Sequence, residues 1–379
     1  MLKRSLASFD ILLALAVCGL CVFGIIMVGS ATNINDPATT STMYDMQKVW
    51  FAIGLVLMLA AALIDYHFIC GFYIIIYLVN IILLVLVLFV GAEGDDPSRW
   101  IRFGTTGLAA RFGIQPSEFS KVFMILFLSK FLEKRNVNKV LVLLCAIISV
   151  ALPVALIQMQ PSLSAMMIVA FIGILIIYEA GLHYRYVVIA LLLVAPAAVF
   201  LYIDLNKAQH IIVDKILSDY QITRILDFFN PDESTATAFH LQRSISAIGS
   251  GMLRGKGLYN GIVAVPAAYT DFIFAVIGEE FGFVGCITVM AVMLFIIFKC
   301  VVTAYKAPDL LGKLIAAGVA GMIAFQTFAH IGVDIGLLPN TGVPLPFISY
   351  GGSSMWINMV SVGLVLNVAM TKQKSIFEV

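Results

Sequence analysis

Charge is what this chain has least of. Asp, Glu, Lys and Arg make up 12% of 379 residues against 61% hydrophobic ones, and the formal net charge is +1. So even a balance gives no basic surface for a polyanion, and no nucleic acid is expected as a partner. The six cysteines (Cys18, Cys21, Cys70, Cys145, Cys286, Cys300) all lie in or beside apolar stretches. Cys18 and Cys21 have C-x-x-C spacing, but inside an apolar run, where packing outweighs redox or metal work. No cysteine falls within 204–270, so nothing points to disulfide staples there. The five histidines (His67, His183, His210, His240, His330) are dispersed, with neither H-x-x-x-H spacing nor a cysteine partner, and no zinc site is expected. No cleavable signal pattern is present, so Leu12 to Val28 is expected to be a retained first span.

What the chain does have is long apolar runs. A mean hydropathy of +1.02 places it in the membrane class. The expected fold is an all-α polytopic membrane protein with ten spans, at about 10–30, 48–65, 70–91, 116–132, 140–158, 163–180, 185–203, 271–298, 312–335 and 352–370. The chain reads as one integral membrane domain, 1–379, with a large outer loop, 204–270, between spans seven and eight. With a cytoplasmic N-terminus, the inner segments carry twelve Lys and Arg residues, and the short outer loops carry only Lys48, Arg99, Arg102 and Arg111. That asymmetry places both termini in the cytoplasm.

The exceptions are informative. Arg99, Arg102 and Arg111 share the loop 93–115 with Trp100. Arginines at an outer surface suit phosphate, which they bind in bidentate fashion, although anchoring to lipid headgroups is the plainer reading. The loop 204–270 is too long for a simple connection. Its stretch from Ile211 to Phe229 mixes apolar and charged residues at helical spacing, as in a helix lying on the outer leaflet. From Gln242 to Tyr259 come Gly249, Gly251, Gly255 and Gly257 with Arg254 and Lys256, a segment suited to cradling an anion.

Acids inside apolar segments cost most. Glu118 and Lys121 sit i, i+3 behind Pro116 at the start of span four and can form an ion pair or line a hydrated cavity. Asp271 opens span eight, where it is either the helix N-cap, with Thr270, or a functional carboxylate. Glu279 and Glu280 follow roughly 12–14 Å along the same helix and each needs a partner, for which Lys121 and the loop cations are candidates. Between spans nine and ten, 338–354 carries three prolines and three glycines, so it is not a regular helix and is expected to re-enter and line a polar cavity.

Four motifs in order complete the picture: Gln115-Pro116-Ser117-Glu118 with Lys121; Ala247 to Gly251 with Gly255-Lys256-Gly257; Thr270-Asp271-Phe272-Ile273-Phe274 through Glu279-Glu280; and Pro344 to Ser354. They resemble the SEDS family, the RodA- and FtsW-type proteins of bacterial shape, elongation, division and sporulation, over nearly the whole chain. The resemblance implies a peptidoglycan glycosyltransferase that polymerises lipid II at the outer leaflet of the bacterial cytoplasmic membrane and works with a class B penicillin-binding protein, a transpeptidase. Asp271 matches the family's essential acid, Glu118 and Lys121 its pair on span four, and Arg99 with Trp100 its Arg-Trp element. The further residues expected at the substrate are Arg102, Gln115, Gln242, Ser244, Lys256, Glu279, Glu280, Ser349, Gly351, Gly352 and Ser353.

The chain departs from the family in three places. Ser162 stands where Gln-Pro-Asp-x-Gly usually carries its acid, Arg243 separates Gln242 from Ser244, and Met252 replaces a second glycine after Gly251. The chemistry expected is Asp271 acting as general base on an acceptor sugar hydroxyl. Lys121, Arg102, Lys256 or a divalent cation (magnesium or manganese) would stabilise the diphosphate that leaves. Two other classes fit the charged cavity: a flippase for lipid-linked precursors, whose helices would be broken in matching halves, and a non-catalytic scaffold for cell-wall enzymes. No internal repeat is evident, and the one evident Pro/Gly interruption lies between spans. Short cytoplasmic tails point toward the elongation type.

Overall fold

The computed structural model describes residues 2–4, 8–35, 40–90, 99–102, 113–160, 162–186, 188–189, 192, 219–229 and 236–373. Its helices are α1 (Ile11–Asn35), α2 (Thr40–Leu63), α3 (Tyr66–Gly71), α4 (Tyr73–Val90), α5 (Pro116–Leu132), α6 (Val140–Gln158), α7 (Leu163–Glu179), α8 (Asp219–Phe229), α9 (Ala236–Ser250), α10 (Ile273–Tyr305), α11 (Leu310–Asp334) and α12 (Gly352–Met370). Two short antiparallel pairs join distant points. β1 (Leu2–Arg4) pairs with β4 (Thr371–Gln373), bringing the two ends of the chain to one face, and β2 (Ile101–Arg102) pairs with β3 (Gly113–Ile114).

Seven of the described helices, α1, α2, α4, α6, α10, α11 and α12, are long and apolar enough to cross a bilayer. The helices α5 and α7 have 17 residues each, roughly 26 Å, a little short of a full hydrocarbon core. Apolar side chains such as Phe89, Leu141 and Leu294 point outward, as lipid solvation requires. Among the seven span-length helices α11 and α12 are the most enclosed; α12 packs along α2, and α11 along α10.

Most of the expected seventh span, 185–203, and residues 211–218 of the stretch from Ile211 to Phe229 lie outside the described residues, and α8 is helical over the rest of that stretch. Two boundaries move. α2 begins at Thr40, so Lys48 is not in a loop but on the helix, 3.0 Å from Asp45. α10 runs on to Tyr305, because Lys299 inside it is neutralised by Asp10 at 2.5 Å and does not end the helix.

A third difference is larger. α10 is broken at Gly282 (φ 65°, ψ −161°), so an interruption lies within a span as well as between spans. A Cβ at Gly282 would lie 2.4 Å from the Gly255 nitrogen. The backbone groups that the break frees are taken up by the loop after α9. Phe283 and Val284 donate to the Met252 and Leu253 carbonyls (2.9 and 3.2 Å), and Lys256 and Gly257 donate to those of Glu279 and Glu280 (3.0 and 2.9 Å). The break persists because these bonds satisfy the backbone groups it frees.

Candidate active site

A cavity of about 290 Å³ opens where the ends of α5, α7 and α12 meet the segments before α10 and α12. Asp271, Glu118, Arg99 and Arg224 bring the charge to its walls, with Trp100, Gln115, Ser162, Asn340 and Tyr350 around them.

Each wall has a local cause. The β2–β3 pairing folds Arg99 and Trp100 back over the start of α5. Arg99 Nε donates to the Gln160 carbonyl at 3.1 Å. The Trp100 ring covers Gly113 so closely that a Cβ there would sit 3.2 Å from it. Ser353 accepts from the Gln115 amide (3.1 Å) and donates to the Gly113 carbonyl (3.3 Å), tying α12 to the same edge. Below it, Glu118 and Lys121 form a 2.6 Å ion pair with Lys121 fully buried. A cation so enclosed requires its partner, and the pair presents Glu118 to the cavity.

The proline- and glycine-rich segment before α12 turns back onto the approach to α10. The Tyr350 amide donates to the Tyr269 carbonyl (2.8 Å), and the Ser349 hydroxyl donates to that of Thr270 (2.7 Å) while accepting from the Leu345 amide (2.8 Å). Gln47 holds the Ser349 carbonyl at 3.2 Å. Gly342 (φ 67°) passes directly beside the acid; a Cβ there would lie 3.3 Å from Asp271 Oδ2 and 3.6 Å from Arg224 Nη1. Arg224 is fixed from the other side by donating to the Asn340 carbonyl at 3.2 Å.

Asp271 is not the N-cap of α10. That position is Phe272, without a side-chain cap. The amide of Ala275 is met instead by Asp334 Oδ2, at 3.1 Å from the end of α11. Asp334 is fully buried; its carbonyl accepts from Ser244 (2.9 Å) and its carboxylate lies 3.5 Å from His330 Nε2. His330 in turn donates from Nδ1 to the Val343 carbonyl at 2.7 Å, next to Gly342. Capping is therefore supplied from another helix, and the Asp271 carboxylate is left to the cavity. Burial pushes its pKa above the usual carboxylate value, against the pull of Arg224, then Arg99, then a hydrogen bond from Thr270.

Other expected residues go elsewhere. Glu279 is a buried anchor for the loop after α9: one oxygen accepts from Lys256 (2.6 Å) and from the amides of Ile262 (2.9 Å) and Val263 (3.1 Å). Glu280 accepts from the Ser30 hydroxyl and from the Tyr259 and Gly261 amides. Neither acid lines the cavity, nor does Lys256 or Lys121, among the described residues. Gln242 is exposed on α9, Gly352 lies against the Trp50 ring, and Gly351 is on the cavity wall. The Arg102 side chain and all of Arg111 lie outside the described residues.

Sequence reasoning missed Arg224, Asn340, Gly342 and Asp334. Asp334 had a readable signal: it sits i+4 from His330 in an apolar span, where an ionisable pair is uncommon. Ser162, the departure from the family pattern, lines the cavity, so the missing acid is missing from the site itself.

A family model described as a cell cycle protein and named for FtsW, RodA and SpoVE matches residues 11–374. The chain is 31% identical to a protein of Geobacter metallireducens named probable peptidoglycan glycosyltransferase FtsW, covering 97% of this chain and 96% of that one. It is 33% identical to the Escherichia coli peptidoglycan glycosyltransferase MrdB, over 84% and 83% of the two chains. Among solved structures it resembles a chain described under structural coordination of polymerization and crosslinking by a peptidoglycan synthase complex, with a TM-score of 0.79 and 27% identity over 95% of this chain and 97% of that one.

Proposed function

The chain belongs to the FtsW, RodA and SpoVE family of cell cycle proteins, and from that membership we propose that it is a peptidoglycan glycosyltransferase. It polymerises lipid II into glycan strands at the outer leaflet of the bacterial cytoplasmic membrane. Both termini are cytoplasmic, ten spans cross the bilayer, and the segment 204–270 lies outside. The observation that carries this reading is the Asp271 carboxylate, freed from capping and set in a cavity between the guanidiniums of Arg99 and Arg224.

In this mechanism Asp271 accepts the proton of an acceptor sugar hydroxyl as its oxygen bonds to the anomeric carbon of the donor. The bond from that carbon to the diphosphate oxygen breaks with its electron pair, and undecaprenyl diphosphate leaves. A positioned base of this kind contributes about 10²–10⁴-fold. Arg99 and Arg224 stabilise the charge of the leaving diphosphate, a role expected for Lys121 or Lys256 until their carboxylate partners are considered. A magnesium or manganese ion fits this wall poorly because, of the carboxylates on it among the described residues, Asp271 feels the Arg224 and Arg99 charges and Glu118 is already paired with Lys121. A cavity of about 290 Å³ takes a sugar-sized group, so the rest of each lipid must lie outside. The glycan product goes to a class B penicillin-binding protein for crosslinking.

A flippase would have helices broken in matching halves, whereas the break in α10 is a single one among the described residues and is filled by the loop after α9. Purified protein supplied with lipid II decides between the readings. Glycan strands formed by the wild type and absent with Asp271→Asn support the polymerase. Lipid transfer across sealed vesicles without polymer would overturn it.

A further inference from the structure

A second cavity, along α10 beyond its break, has different chemistry. It is a groove of about 1120 Å³ between α1 and α10, walled by Gly19, Phe23, Phe281, Val284, Gly285 and Phe295, with Arg254 at one end. The edge-to-face rings of Phe23 and Phe281 (5.6 Å) fix its upper end. From Phe281 to Phe295 it runs roughly 21 Å along the helix, the reach of one lipid chain. Gly19 leaves it open: a Cβ there would meet nothing within 4 Å.

The level of Arg254 follows from the burial of α10. Residues 273–280 are all buried, and outward-facing side chains begin at Phe283 and Val284, beside the break. From Phe283 to Tyr305 the helix covers roughly 33 Å, which matches a hydrocarbon core of about 30 Å. Arg254 is placed by the loop that plugs this break, so it stands at the headgroup level of the leaflet on the Asp271 side. Around it the same loop exposes Met252, Leu253, Leu258 and Ile262. The guanidinium is exposed and has no ion pair, side-chain hydrogen bond or ring contact among the described residues. A cation at the head of an apolar groove calls for an anion carrying an apolar chain.

We infer that this groove binds an anionic phospholipid, with the phosphodiester on Arg254 and one acyl chain between α1 and α10. The charge count selects that lipid over a polyprenyl diphosphate. Lys256, the nearest other cation in the loop, is paired with Glu279, and the Lys256 and Gly257 amides are bonded to α10 carbonyls. One free guanidinium balances one phosphodiester charge and leaves a diphosphate under-neutralised.

The test uses the full-length protein, delipidated in detergent and titrated with phosphatidylglycerol, phosphatidylethanolamine or undecaprenyl diphosphate, with bound lipid counted by native mass spectrometry. Phosphatidylglycerol should bind tightest, and Arg254→Ala should weaken it about fivefold or more, the effect of one cation near an anionic headgroup. Gly19→Leu projects into the groove from a position where a Cβ meets nothing within 4 Å and should weaken it at least as much, whereas Arg243→Ala, an exposed cation elsewhere, should not change it. The inference is overturned if phosphatidylglycerol and phosphatidylethanolamine bind equally and neither groove variant matters. It is also overturned if undecaprenyl diphosphate displaces phosphatidylglycerol from the wild type but not from Arg254→Ala.

Discussion

Asp334 Oδ2 accepts the Ala275 amide at 3.1 Å, so the acid that caps α10 comes from the end of α11, and the acid adjacent in sequence, Asp271, does not. The arrangement couples the pose of Asp271 to a buried polar group that never meets the cavity. Replacing Asp334 with Ala removes the charged acceptor from this turn and leaves the Ala275 amide only the Phe272 carbonyl, which should cost about 1–3 kcal/mol. It should also loosen the turn that presents Asp271, lowering kcat more than it raises KM for lipid II. Asp334→Asn keeps an acceptor at the same place and should restore most of both. Thermal unfolding in detergent and steady-state polymerisation measure the two effects; an alanine variant with unchanged unfolding and kcat would refute the coupling.

Asp271 itself should behave oppositely in stability. Burial raises its pKa above the unfolded value, so at neutral pH the fold bears the cost of an ionised group it would rather keep protonated. Asp271→Asn removes that charge without changing shape. The variant should unfold at the same temperature as wild type or higher, and should form no glycan strands. A drop in Tm alongside the lost activity would make the role of Asp271 structural.

The same shift sets the acid limb of the pH profile. A general base works when ionised, so kcat/KM falls as pH drops through the Asp271 pKa, which burial places above the ordinary aspartate value. Arg224 is the stronger of the two cations that hold this pKa down. Arg224→Ala should therefore move the acid limb to higher pH, and Arg99→Ala should move it the same way by less. A pH–rate series on the three proteins checks the order; an unmoved limb would detach Asp271 from these arginines.

How much of this was legible follows from the range of each signal. Span-length apolar runs are local, so α1, α4, α5, α6, α7, α11 and α12 fall close to where hydropathy places them. Glu118, Lys121 and Asp271 stand out because charge in an apolar segment is costly wherever it folds. The break at Gly282 was hidden, since one glycine among apolar residues has no signal until the loop after α9 is seen to fill the gap. Arg224 was hidden too: on an amphipathic helix its guanidinium looks solvated, and only the return of the segment around Asn340 and Gly342 makes it a neighbour of Asp271. The sequence also grouped Lys256, Glu279 and Glu280 with the substrate. Their spacing is right for an anion site, but the carboxylate of Glu279 already satisfies the cation.

That pairing can be tested by the variant that separates a structural cation from a substrate ligand. Glu279 is buried and its pair with Lys256 lies at 2.6 Å, so Lys256→Ala strands a carboxylate held only by neutral donors, the Ile262 and Val263 amides and the Ser250 hydroxyl. The loss should be about 1–3 kcal/mol of stability, because an unpaired buried group bears its desolvation cost. Lys256→Met combined with Glu279→Gln removes both charges and should recover much of it. Once corrected for folded fraction, KM for lipid II should stay near wild type in both variants, since neither residue lines the cavity that holds Asp271 among the described residues. A KM raised tenfold in Lys256→Ala with unchanged unfolding would place Lys256 on the diphosphate instead.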